Sequence, residues 1–283
     1  MFAKAKLLMG LAAFLFYARI VPAADHGPVF GLATPTNPRG GWSFDLGVNG
    51  RGGNAGTAAA LEAELSYGIT QNLKVSVSGP VVIEPDPYPR SSVTTNTPAS
   101  GDFSGLGWWR FQRKDLAGKR IESTAFGGIL LPGPQAEAGI YRGLHSGPGY
   151  LIGAATGVAS RSQYAWAGLS YQRYGGAQGD ERPDLLTYTA VYGYRPLSWR
   201  TDYPRWDWRI FGELTGEHSG LLERRMLLAP GTEAQQVFLG PSVLGVYRAI
   251  GIEGGMQFPL YRDVGPLYPR ERYRFAINLA YFF

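Results

Sequence analysis

Glu62 and Glu64 stand two residues apart, and so do Arg272 and Arg274 near the end of the chain. Charges spaced by two fall on one face of an extended strand. Asp45, Lys74, Arg110, Arg120, Glu122, Asp207, Arg209, Glu213 and Glu253 sit in similar surroundings, most of them with an apolar or aromatic residue alongside. Acids and bases in near balance on one face have two uses. They can close ladders of cross-strand ion pairs, or they can line a passage whose field orients polar permeants. A second chemistry is spelled by Glu213, Glu217, His218 and Ser219, the parts of a nucleophilic hydrolase. His218 and Ser219 are adjacent, so a strand sends them to opposite faces and only a loop could pair them. The other histidines are His26 and His145, and the chain has no Cys. Without a His pair at helical spacing or an acidic calcium loop, no metal or other cofactor is expected. The run Gly-Gly-Ala-Gln-Gly-Asp at 175–180 lacks the lysine and strand-to-helix setting of a phosphate loop.

The element that must carry such charges is clearest at the end of the chain, where 272–283 reads R-Y-R-F-A-I-N-L-A-Y-F-F. Tyr273, Phe275, Ile277, Leu279, Tyr281 and Phe283 alternate with Arg272, Arg274, Ala276, Asn278, Ala280 and Phe282. That is a strand with an apolar face and a mixed face. Twelve runs of this kind follow one another, at 42–48, 59–67, 72–79, 103–111, 120–131, 150–158, 162–174, 186–194, 206–215, 236–247, 249–258 and 272–283. In the seventh, Tyr164 and Trp166 oppose Leu169 and Tyr171, which a bulge near Gly168 would reconcile. In the tenth, Pro241 weakens the middle.

The links alternate in length. Those at 68–71, 112–119, 159–161 and 248 are short, with 195–205 a longer member of the same series, and those at 49–58, 80–102, 132–149, 175–185, 216–235 and 259–271 are long. Short turns at one rim and long loops at the other are the habit of bacterial outer-membrane barrels. The expected fold is therefore all-β, a transmembrane antiparallel up-and-down β-barrel of about 12 strands. A soluble sandwich or lipocalin-like barrel is the alternative. The 40 Gly, 17 Tyr, 14 Phe and 7 Trp suit strands, turns and aromatic girdles, and the mean hydropathy of −0.13 is what alternating faces average to.

Residues 1–23 read as a signal peptide, with Lys4 and Lys6 before an apolar run at 7–17 and Val21-Pro22-Ala23 at the cleavage point. The barrel then occupies 24–283. Losing the signal removes three bases and no acid, which lowers the formal charge from +5 to +2, so no nucleic-acid partner is read from it. The lumen and constriction candidates are Asp45, Glu62, Glu64, Lys74, Arg110, Arg120, Glu122, Arg209, Glu213, Glu253, Arg272 and Arg274. Closure of the first strand on the last is expected to bring Arg272 and Arg274 to Asp45, Glu62 and Glu64.

Gly101-Asp102-Phe103 followed by G-L-G-W-W-R-F, the run G-G-I-L-L-P-G at 127–133, V-F-L-G-P-S-V-L-G-V-Y-R and I-E-G-G-M-Q-F-P occur in that order. Together they resemble the outer-membrane transporter-type proteins associated with the meta pathway of phenol degradation. The resemblance runs from Trp42 to Phe283, and the Trp- and Pro-rich 196–208 departs from it. It implies passive uptake of small hydrophobic or aromatic solutes by a non-enzymatic protein of the cell outer membrane, and it supplies no catalytic residue. The partners that follow are a small permeant, outer-membrane lipid and lipopolysaccharide, and the barrel-assembly machinery, which would read the strand ending at Phe283. The rival classes are a lipid hydrolase or deacylase-type barrel enzyme and a closed structural or adhesive barrel.

Overall fold

The computed structural model describes residues 27–34, 36–54, 56–84, 102–133, 146–201, 205–268 and 270–283. The expected signal peptide and both His26 and His145 lie outside them.

Twelve strands close into one antiparallel barrel: β1 (Trp42–Gly53), β2 (Gly56–Gly68), β3 (Leu73–Glu84), β4 (Phe103–Leu116), β5 (Lys119–Leu131), β6 (Ser146–Ser160), β7 (Gln163–Gly176), β8 (Leu185–Tyr194), β9 (Asp207–Ser219), β12 (Ala234–Tyr247), β13 (Ile250–Val264) and β14 (Glu271–Phe282). Between β9 and β12, a separate two-stranded hairpin is formed by β10 (Leu222–Arg224) and β11 (Leu227–Ala229). Each barrel strand pairs with its chain neighbour, and β1 closes on β14 from Ser43↔Phe282 to Gly53↔Glu271. The ends are tied by Trp42 N–H to the Phe283 carbonyl at 2.8 Å and Phe283 N–H to the Trp42 carbonyl at 3.0 Å. We call this rim the base and the opposite rim the mouth.

Period two sets the wall as the sequence requires. Leu65, Val75, Val77, Ile129, Leu239, Ile277 and Leu279 face outward and are exposed, whereas Ser66, Ser76, Ser78, Thr124, Thr189 and Thr215 face inward and are buried. Such a wall puts apolar groups where lipid would lie and polar ones in the lumen. At the base, the tight turn between β4 and β5 places Gly118 at φ +75°, where a Cβ would be strained.

Three local expectations change. The link at 49–58 is expected to be long, yet β1 and β2 continue to Gly53 and Gly56. Its glycines lack an apolar period because rings of the adjoining strand cover them. A Cβ on Gly52 would sit 2.4 Å from the Tyr273 ring, and one on Gly50 would sit 2.8 Å from that of Phe275. No bulge interrupts β7, which pairs in continuous register with β8. Tyr164 and Trp166 face inward and Leu169 outward, because part of the lumen is itself apolar. Pro241 does not break β12, which stays in register with β9 through Pro241↔Gly212. Its pairing with β13 lapses at Gly240 and Pro241, where the missing donor is tolerated.

Candidate functional site

The segment before β1 lies inside the barrel. Pro28, Gly27 and Gly31 deny it a regular strand or helix, and it bends at Val29–Gly31. Three successive backbone N–H groups converge on the carboxylate of Glu213, in mid-β9: Val29 on Oε1 at 3.0 Å, Phe30 on Oε2 at 2.8 Å and Gly31 on Oε2 at 2.7 Å. The Ser242 hydroxyl also donates to this carboxylate. Leu32 N–H donates to Thr189 Oγ1 at 3.2 Å, the Thr124 hydroxyl to the Thr34 carbonyl at 3.1 Å, and Trp166 Nε1 to Thr34 Oγ1 at 3.3 Å.

Apolar contacts reinforce this seat. Phe30 is 0% and Leu32 1% exposed. Leu32 joins a cluster with Leu106, Trp108, Phe126, Leu130, Leu151, Ala155 and Tyr174. Ala33 packs on Tyr164, Trp166, Val191, Phe211 and Leu244. Full burial of each large side chain contributes about 2 kcal/mol, and each hydrogen bond about 1 kcal/mol. Neither kind of contact alone decides the seat.

Opposite the seat a cavity of about 150 Å³ remains. One side of it is the inserted segment, at Gly27, Pro28, Val29, Gly31 and Ala33. The other is the wall formed by Asp45, Asn49, Glu62, Glu64, Lys74, Trp108, Glu253 and Asn278. Asn49 Nδ2 donates to Glu62 and Asn278 Nδ2 to Asp45, both at 3.2 Å, and the Ser66 hydroxyl donates to Glu64 at 2.9 Å. Lys74 Nζ stands 4.9 Å from the centre of the Trp108 ring.

Arg274 lies elsewhere, towards the mouth. Its guanidinium grips Glu217 with Nη1 at 2.8 Å and Nη2 at 2.6 Å, and Glu271 with Nε at 2.7 Å. Arg51 Nη1 reaches Glu271 at 3.2 Å, and the Phe238 ring lies 3.7 Å from the Arg274 guanidinium carbon. All four charged groups are buried, and a buried quartet must be paired to be tolerated. Above it, burial pushes the Tyr268 phenol well up and Glu271 adds to the effect, so its hydroxyl stays neutral.

The twelve sequence candidates thus divide. Asp45, Glu62, Glu64, Lys74 and Glu253 share the cavity, and Glu213 holds the inserted segment. Arg110 and Glu122 form an ion pair at 2.9 Å nearer the base, and Arg209 pairs with Asp207 at 3.1 Å there. Arg120 is 46% exposed at the base, paired with Asp115 at 2.9 Å, because it lies at the very start of β5. Arg272 faces outward. The β1–β14 register shifts between Gly52↔Tyr273 and Gly53↔Glu271, which gives the inward place to Glu271. The expected meeting of Arg274 with Asp45 does not occur either. Antiparallel closure pairs Arg274 with Arg51 and Asp45 with Ala280, at opposite ends of the wall.

The hydrolase set is not assembled. His218 is exposed on the outer face while Glu217 and Ser219 are buried on the inner one. The Ser219 hydroxyl has no hydrogen-bond partner among the described residues. The inserted segment itself escapes a period-based reading. Its trace in the sequence is Val29-Phe30 and Leu32, apolar residues ahead of the first strand with no strand to bury them.

The same barrel is found in an outer membrane channel from Pseudomonas putida F1, which matches 92% of this chain and 100% of its own at 12% identity, with a TM-score of 0.61. The NanC porin matches 84% of this chain and 98% of its own at 9% identity, with a TM-score of 0.53. The likeness is one of fold. No family model matches the sequence, and no curated protein matches it.

Proposed function

We propose that this chain is a channel of the outer membrane for passive entry of small solutes, hydrophobic and aromatic ones among them. The observation that carries the reading is the cavity beside the inserted segment, a small space enclosed by a barrel whose outer face is apolar. A lumen filled to this degree suits solutes of one ring or fewer rather than oligomers. The fold shared with an outer membrane channel agrees with this. The hydrophobic and aromatic class, with its tie to phenol degradation, rests on the sequence resemblance. A recess of about 500 Å³ in the wall, lined by Tyr192, Tyr194, Ile210, Pro241 and Val243, adds an apolar surface beside the lapse in β12–β13 pairing.

The test is solute uptake by liposomes holding the refolded protein, with protein-free liposomes as the baseline. Benzyl alcohol entering faster than glucose supports the reading, and entry no faster than the baseline for either overturns it. Fatty acid released in the same tubes, and abolished by His218→Ala, would favour the hydrolase instead.

A further inference from the structure

The turn between β8 and β9 is the long one at a base of short turns, and it is rich in arginine and tryptophan. Its 3-10 turn, Leu197–Trp199, buries no residue, and Leu197 and Trp199 are 74% and 42% exposed. Water alone does not favour a Leu and a Trp on such a turn, whereas the edge of a bilayer does. Arg195 and Arg209 share Asp207, at 2.6 and 3.1 Å. Arg205 and Arg248 are exposed and form no ion pair among the described residues. Arg248 sits at φ +53° in the turn between β12 and β13, a place that suits Gly or Asn. An arginine is kept there against backbone preference.

These two arginines flank one ladder of side chains on the outer wall. Arg205 precedes Trp206 and Arg248 follows Tyr247, and the two rings stack at 5.4 Å. Trp206 stacks in turn on Trp208, also at 5.4 Å. Next along the same face of β9 comes Ile210, between Tyr194 and Val243 of the adjoining strands, and then Gly212, between Tyr192 and Pro241. A Cβ on Gly212 would meet nothing within 4 Å. That gap belongs to the wall recess of about 500 Å³.

From the base upwards the order is cation, aromatic ring, apolar recess. A phospholipid presents the matching order of phosphate, interface and acyl chain. Arginine suits the phosphate, since its planar fork can hold two oxygens at once. Two unpaired guanidiniums exceed the charge of one phosphate and repel the ammonium of a zwitterionic headgroup. The rim with short turns faces the periplasm in barrels of this kind. We infer that this strip of wall binds an anionic phospholipid of the periplasmic leaflet, with Arg205 and Arg248 on the headgroup and one acyl chain in the recess over Gly212. The inference rests on the outer-membrane reading but needs no passage of solute.

The experiment is native mass spectrometry of the refolded protein from dodecyl maltoside micelles carrying equal amounts of phosphatidylglycerol and phosphatidylcholine. Wild type should retain phosphatidylglycerol in preference by roughly tenfold, as two surface cations imply. Arg205→Gln with Arg248→Asn should remove most of that preference, and Asn is at ease in the turn. Gly212→Leu should lower retention of both lipids by filling the recess. Heat-dependent mobility on gels reports the folding of each variant, and Gly212→Val serves if Gly212→Leu does not fold. Equal retention by wild type, a preference that survives the arginine changes, or retention undiminished by the filled recess overturns the inference. Wild type that does not float with liposomes overturns the outer-membrane reading too, whereas wild type that floats without preference overturns this inference alone.

Discussion

Glu213 and Gly31, 182 positions apart in sequence, meet at 2.7 Å inside the barrel, the backbone N–H of one donating to the carboxylate of the other. Gly31 is required there, since a Cβ would lie 2.2 Å from Val191 Cγ2 and 3.4 Å from Glu213 Oε2. These two residues are thus one part of the seat, beside the apolar contacts of Phe30 and Leu32.

Glu213→Ala removes the acceptor of three backbone N–H groups while leaving the wall strand in register. The segment should loosen and single-channel conductance should rise several-fold. Gly31→Val should act in the same direction by expulsion rather than by loss of an acceptor. Conductance equal to wild type in both variants would mean that the apolar seat of Phe30 and Leu32 holds the segment unaided.

Arg274→Ala leaves Glu217 and Glu271 buried with their main partner gone. Breaking a buried ion pair on one side costs about 3–5 kcal/mol. The urea midpoint for unfolding from micelles should fall accordingly. Arg274→Lys should recover only part of it, because one ammonium cannot reproduce the forked grip on Glu217. A midpoint within error of wild type for Arg274→Ala would show that water replaces the guanidinium.

The wall was legible in the sequence because each of its residues obeys a local rule. Leu73-Lys74-Val75 or Trp109-Arg110-Phe111 assigns its own faces without knowledge of any neighbour. What fills the wall obeys no such rule. Val29-Phe30-Gly31-Leu32 has no period, and its partners Thr189 and Glu213 are more than 150 residues away. The inward turn of Tyr164 and Trp166 is apparent only in the structure, where Ala33 of the segment packs on them. Pairings across the lumen were equally hidden. Arg274 finds Glu217 only because the curved wall turns β14 and β9, with β13 and β12 between them, towards the same part of the lumen, a consequence of curvature rather than of spacing. Arg272 was misplaced by a single register shift at its own position, which no alternation pattern announces.

The abundance of both glycine and aromatic residues has a structural cause that can be tested at Gly216. It pairs with Tyr188 across β8 and β9, and the ring lies over it so closely that a Cβ would sit 2.0 Å from Tyr188 Cζ. Gly216→Val must push the ring off its seat, an overpacking cost of about 1–3 kcal/mol. Gly212, four residues earlier on the same outer face of β9, is uncrowded. A Cβ there would meet nothing within 4 Å, so Gly212→Ala should leave the urea midpoint unchanged. Gly216→Val combined with Tyr188→Ala should cost less than the two changes made singly, because removal of the ring removes the clash. Additive losses would instead place the requirement for Gly216 in its backbone, and the ring would then be a bystander.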